Sequence, residues 1–289
     1  MLRSFLLAGA LSAALFSAAA PAQTTLQLLE PGAAPRQAIR YRFNAGHAEQ
    51  AALDLNVQMA MSLAGQVLPL GAVPPIRMIM AMRTAEVAAD GSARIEFELL
   101  SAEAAGDDAQ AAQMNQALSE STRGLSGWYR VDARGQVSDS EVKAPDDGSA
   151  SAVLQDLEQS MQQMAAPFPE EAVGPGARWR VTQHVTNSNM QMTQTAEYTL
   201  RSRAGNRIEL DVKMVDASLD AVAGLPPGAR LDSVKMEGGG TSSIQLDRLV
   251  PTGSVEANLQ LGLSITAEGP TQSMGMNLKM KQAISPQAP

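Results

Sequence analysis

From Leu53 the chain alternates apolar and polar residues without a break. Leu53, Leu55, Val57, Met59, Met61 and Leu63 share one parity, and Asp54, Asn56, Gln58, Ala60 and Ser62 the other. Successive side chains of an extended chain point to opposite faces, so this period of two predicts a strand with one apolar and one wet face. Ile76, Met78, Met80 and Met82 repeat the pattern. Ala89-Asp90-Gly91-Ser92 then supplies a turn, and Ile95, Phe97 and Leu99 alternate with Glu96 and Glu98, which predicts a hairpin. Residues 128–131 and 136–142 flank Asp132-Ala133-Arg134-Gly135 as a second, shorter hairpin. Later strands are predicted over 179–185, 190–201 and 207–215, the last two joined by Ala204-Gly205-Asn206. Three more follow over 231–248, 254–268 and 274–284. Gly238-Gly239-Gly240 is expected to interrupt the first of these as a bulge or bend.

Two segments change period. Over 107–123 a thin stripe of Ala111, Met114 and Leu118 follows Asp107-Asp108 and stops at Gly124, the pattern of a surface helix. Over 151–165, Val153, Leu154, Leu157, Met161 and Met164 fall on one helical face, with a serine before them and Pro167 after. The two halves of the chain also echo each other. A short aromatic-bearing strand (Tyr41 and Phe43, later Trp179) precedes a long strand, a tight turn and a return strand, as a duplicated β unit would. The expected fold is mainly β (α+β): a large curved antiparallel sheet, half-barrel or barrel-like, with two helices packed against it.

The first residues carry a different message. Arg3, the apolar run 5–16 and the small residues Ala20-Pro21-Ala22 form the tripartite pattern of a secretory signal, with cleavage expected between Ala22 and Gln23. The apolar run is too short to span a bilayer, which needs about 20 residues. The expected organisation is a signal peptide over 1–22 and a β-rich domain over 23–289. That domain is read either as one unit or as two intimately packed halves, about 23–145 and 168–289, joined by the 151–165 helix. The expected location is exported, in the periplasm or outside the cell. There is no cysteine, hence no disulfide and no residue for a lipid anchor, and no transmembrane anchor is expected. A net charge of −8 disfavours phosphate backbones, so no nucleic-acid partner is expected.

Aromatic residues are 3% of the chain whereas methionine occurs 16 times, many in Met-x-Met runs along the strands. Thioethers suit Cu(I), yet the same parity is filled by Leu, Ile and Val, and no His or Cys is interleaved. The methionines therefore read as continuing an apolar face, either as core or as the wall of an adaptable pocket. No metal ligand is expected. His47 and His184 stand in unrelated contexts and read as surface residues. Neither a Gly-x-Ser-x-Gly elbow nor a thiol is present, and Asp107-Asp108, Asp146-Asp147 and Glu170-Glu171 read as solvated acids, so no catalytic residue and no cofactor is expected. The large rings, Trp128 included, are expected to anchor strand starts in the core.

The segments Gly127-Trp128-Tyr129-Arg130-Val131-Asp132-Ala133-Arg134-Gly135-Gln136-Val137 and Phe168-Pro169-Glu170-Glu171-Ala172-Val173-Gly174-Pro175-Gly176-Ala177-Arg178-Trp179 resemble a family of exported bacterial proteins classed as a domain of unknown function. The resemblance is taken to extend over most of residues 23–289 and carries over no functional residue. A curved sheet with helices laid on it is also similar, in architecture alone, to the half-barrel carriers of the LolA and LppX types. Three functions stay open. The first is a non-enzymatic carrier of a lipid or acyl chain on a concave face lined by Leu55, Val57, Met59, Met61, Met78, Met80, Met82, Leu259, Leu261, Met274 and Met276. The second is a dry-cored module that binds an envelope protein through loops at 68–75 and 225–230. The third is a hydrolase using carboxylates.

Overall fold

The computed structural model describes residues 24–63, 66–143, 167–187, 190–222, 229–266 and 272–287. Residues 1–22, read above as a signal peptide, the segment 151–165 read as a second helix, and Asp146-Asp147 lie outside them. The elements are β1 (Thr25–Glu30), β2 (Ala48–Leu63), β3 (Gln66–Ala72), β4 (Ile76–Val87), β5 (Ala93–Ala104), α1 (Ala109–Thr122), β6 (Ser126–Val131), β7 (Val137–Lys143), β8 (Arg178–Asn187), β9 (Met190–Ala204), β10 (Arg207–Val222), β11 (Ala229–Gln245), β12 (Thr252–Ile265) and β13 (Gln272–Gln287). One antiparallel sheet holds all thirteen strands in the order β1-β8-β9-β10-β11-β12-β13-β2-β4-β5-β6-β7, and β3 pairs with β2 off this path. The sheet does not close: β1 and β7 are its edges.

Alternation sets the pairing because a slip of one residue would turn every apolar side chain to the wet face. Across the middle of the sheet Met236, Leu259, Leu278 and Met59 stand in one row, and Val234, Leu261, Met276 and Met61 in the next. The opposite face carries Glu237, Asn258, Lys279 and Gln58, with ion pairs Lys281–Glu256 at 2.8 Å and Lys235–Glu237 at 2.7 Å.

One end of the sheet is strapped. After β1 the chain crosses from one edge to the centre, where β2 begins, and residues 31–47 hydrogen-bond to whatever they pass. Ala33 N donates to Pro175 O, Tyr41 N to Ala133 O, Arg42 N to Leu246 O and Gly46 N to Thr84 O. Under this strap lies the main core, in which Ile39, Phe168, Val173, Trp179, Leu200, Ile208 and Leu246 are almost fully buried. A smaller cluster of Ala93, Ile95 and Val131, with Phe43, Tyr129 and Leu249 against it, lies on the other arm of the sheet. Glu49 is held in the same region. Its Oε1 meets His47 Nε2 at 2.5 Å and Arg248 Nε at 2.6 Å, and its Oε2 accepts from Val250 N at 3.1 Å.

Helix α1 is capped by Asp108, whose Oδ1 accepts from Ala111 N at 2.8 Å. It packs on β5 beyond the end of β6, where Asn115 satisfies the free strand edge by accepting from Ala104 N and donating to Ala104 O.

Several expectations change. Residues 40–43 are not a strand, because Tyr41 and Arg42 bond singly to two different loops. Leu68 to Ala72 is no loop but part of β3, while 225–228 lie outside the described residues. The three glycines do not interrupt β11, and Gly238, Gly239 and Gly240 pair in register with both β10 and β12. Their role is close approach: a Cβ at Gly240 would run into the carbonyl of Ser254, and one at Gly239 would lie 2.7 Å from that of Val212. Trp128 is not in the core. It lies on the polar face, where Arg94 stacks over its ring at 4.1 Å and its Nε1 donates to Glu141 at 2.8 Å.

Candidate functional site

All eleven side chains expected to line an apolar surface fall on one face of the sheet. The register aligns Leu55, Val57, Met59 and Met61 of β2 with Met274 and Met276 of β13, and with Leu259 and Leu261 of β12 beyond it. On the other flank of β2, Met78, Met80 and Met82 stand opposite Leu53, Ala51 and Glu49. None of these eleven is buried, although each is partly covered by its neighbours. The reading of the methionines as core therefore gives way: among the described methionines Met192 alone is buried. The cause is visible in the packing. Among the described residues, α1 on β5 is the one substantial contact between elements that are not hydrogen-bonded neighbours in the sheet.

The same face runs on to the strapped end and meets a cavity of about 340 Å³. Val255 and Val212 line it, and they stand four and two residues along their strands from Leu259 and Met214. Its walls come from both arms of the sheet, with Tyr129, Val131 and Val137 on one side and Trp179, Tyr198 and Leu210 on the other. Tyr41 stacks on Phe43 at 5.4 Å and leans on Phe168 at 5.3 Å, and Trp179 stacks on Tyr198 at 5.7 Å. Burial pushes the phenols of Tyr41 and Tyr198 up to about 12. Burial, with Tyr41 beside it, raises that of Tyr129 as well. All three stay neutral at ordinary pH, so the wall they form is uncharged.

The polar face has grooves of its own. One holds about 640 Å³ between Gln50, Glu98, Ser126, Trp128 and Lys143. It is lined by paired charges such as Arg83–Glu96 at 2.9 Å. The paired acids noted in the sequence do not converge on one site. Asp108 is a helix cap, Glu170 and Glu171 are exposed in a loop, and no group of three or more His, Cys, Asp or Glu among the described residues is placed to hold a metal ion. His184 is exposed on β8 and bonds Thr193 Oγ1 at 2.8 Å.

The aromatic cavity and the Glu49–Arg248 pair escape a reading of the sequence, because their parts come from segments far apart in the chain. The one signal is statistical: in a chain poor in rings, Tyr41 and Phe43 sit two residues apart.

Among the described residues no helix is long and apolar enough to cross a membrane. No curated protein matches the chain. The second of the two segments noted for their resemblance, Phe168 to Trp179, lies within the stretch that a family model does match, and Gly127 to Val137 lies outside it. That stretch carries β8 to β11 and most of the buried core. Residues 152–250 match the model of a family of unknown function, DUF6263.

Proposed function

We propose that this is an exported, non-enzymatic binding protein of the periplasm or cell exterior that holds a lipid or acyl chain. The ligand lies against the Leu- and Met-lined face, which forms the inside of a half-barrel. The observation that carries the reading is the row structure: two adjacent rows of four apolar side chains cross β11, β12, β13 and β2, partly exposed, with no element of the described residues over them. Water contact over so continuous an apolar surface is unfavourable at about 25 cal/mol per Å², and large exposed patches mark ligand or partner sites. Methionine suits the task because its flexible thioether adapts to chains of different length and saturation. Residues 1–22 supply the export.

The test is native mass spectrometry of protein purified gently from an envelope fraction, followed by solvent extraction. A stoichiometric lipid, lost in a variant combining Met59→Gln and Met276→Gln, is the expected result. A clean apoprotein mass that stays unchanged when lipid is added would sink the reading. A second reading, docking of an envelope protein, draws on Leu68 and Leu100, exposed at 43% and 48%. It predicts that charged substitutions there, and not on the methionine rows, abolish capture of that protein.

A further inference from the structure

Six of the eight aromatic side chains outside residues 1–23 line the one cavity under the strap: Tyr41, Phe43, Tyr129, Phe168, Trp179 and Tyr198. All three tyrosines of the chain are among them. A core assembled for stability alone packs to crystal-like density with few voids larger than a water molecule. Here the rings instead stand around about 340 Å³, a volume in the range of ligand sites, roughly 300–1,000 Å³.

Two polar groups in this wall could meet a ligand. Trp179 is 1% exposed and its Nε1 is buried with no hydrogen bond, a donor left at a cost unless something accepts from it. Arg248 also lines the cavity. Its Nε meets Glu49 at 2.6 Å, and its guanidinium, on a side chain 46% exposed, is the one charged group among the cavity's lining residues, a planar fork of the kind that suits a carboxylate.

We propose that this cavity binds a small apolar carboxylic acid. Its hydrocarbon body lies between the Tyr41–Phe43–Phe168 stack and the Trp179–Tyr198 pair, and its carboxylate lies on Arg248. The rings supply apolar area with little entropy to lose, and the neutral tyrosines do not repel an anion. The Glu49 pairing fixes the guanidinium beside the cavity that Arg248 lines. The body is either a straight acyl chain or an aromatic ring system. This site lies at the opposite end of the apolar face from the methionine rows and stands independently of the lipid reading.

The test uses the full chain carrying Trp128→Phe, which makes Trp179 the sole tryptophan. Its fluorescence is followed while laurate, 2-naphthoate and the methyl ester of each are added. Saturable one-to-one binding of at least one acid is expected, and whichever acid binds identifies the body. Arg248→Gln should weaken the acid at least tenfold and leave its ester unchanged. Ser242→Leu, which fills the cavity wall without touching the ion pair, should weaken acid and ester at least tenfold and decides the matter if Arg248→Gln does not fold. Met59→Gln with Met276→Gln should change neither. Absence of saturable binding by either acid to folded protein would overturn the proposal. So would equal losses of acid and ester in folded Arg248→Gln, or loss of binding in the methionine pair with Ser242→Leu unaffected.

Discussion

The two ends of the sheet are built from the same alternating strands and finished in opposite ways. At the strapped end, residues 31–47 and the loops around Phe168 and Leu246 are laid across the apolar face, so that Trp179, Phe168, Ile39 and Leu200 are buried almost completely. At the other end the face continues as Met59, Met61, Leu261, Met274 and Met276, with the same parity, the same pairing and no cover among the described residues. The side chains differ accordingly. Rigid rings, which gain most from fixed neighbours, gather under the strap, and methionines, which lose least from inconstant ones, spread where the described residues supply no cover. Alternation alone builds a sheet, whereas a core also needs chain to spend on covering it.

The contrast predicts unequal costs for equal truncations. Trp179→Ala should destabilise by about 3–5 kcal/mol, because it opens a hole beside Tyr198 that the strap cannot collapse into. Met276→Ala should cost about 1–2 kcal/mol, since that side chain is only partly buried. Chemical denaturation of the two variants checks this, and equal costs would abolish the distinction between the ends. Gly240→Ala acts between the two regions. Its Cβ would meet backbone, the carbonyl of Ser254, and backbone cannot rotate aside, so a loss of about 3 kcal/mol is expected, with faster amide exchange in β10, β11 and β12.

A smaller effect separates the ends by pH. Tyr41 and Tyr198 keep their protons up to about 12 in the folded chain, whereas in the unfolded chain they release them near 10. The native state therefore binds more protons through that window. The stability this contributes is complete below pH 10 and is lost as pH rises towards 12. All the tyrosines lie under the strap, so tyrosinate absorbance in native protein should rise well above pH 10, and in denatured protein at the ordinary value. The smallest effect belongs to helix α1: Asp108→Ala should cost about 1 kcal/mol by removing the cap, and should leave the strapped end unchanged in near-ultraviolet circular dichroism.

The sheet was legible because period two leaves an unambiguous trace in segments such as 53–63 and 207–215, and antiparallel register follows once one face must avoid water. Where the trace failed, the reasons are particular. Pro69 and Gly71 argue against a strand, yet β3 tolerates them because it pairs with β2 alone and needs no second ladder. Tyr41 and Phe43 imitate a strand by their spacing, but their backbone bonds go to loops that no local pattern anticipates. The triple glycine looked like a bulge because glycine weakens strands, and the alternative, strands too close for a Cβ, is a fact of three dimensions. The one-faced placement of the methionines could be read from parity. Their exposure could not, since parity tells which side chains share a face and never what lies opposite it. Nor could the pairing of Glu49 with Arg248 or the ring of aromatics be foreseen, since both arise only when the chain is strapped across the sheet.

Methyl NMR of the methionines during titration with a monoacyl phospholipid would show whether the uncovered end is a ligand surface. The methyls of Met59, Met61, Met274 and Met276 should shift together and saturate at a fixed ratio of lipid to protein, while buried Met192 stays where it was. Unmoved methyls at saturating lipid, or equal shifts in Met192, would contradict a methionine-lined binding face.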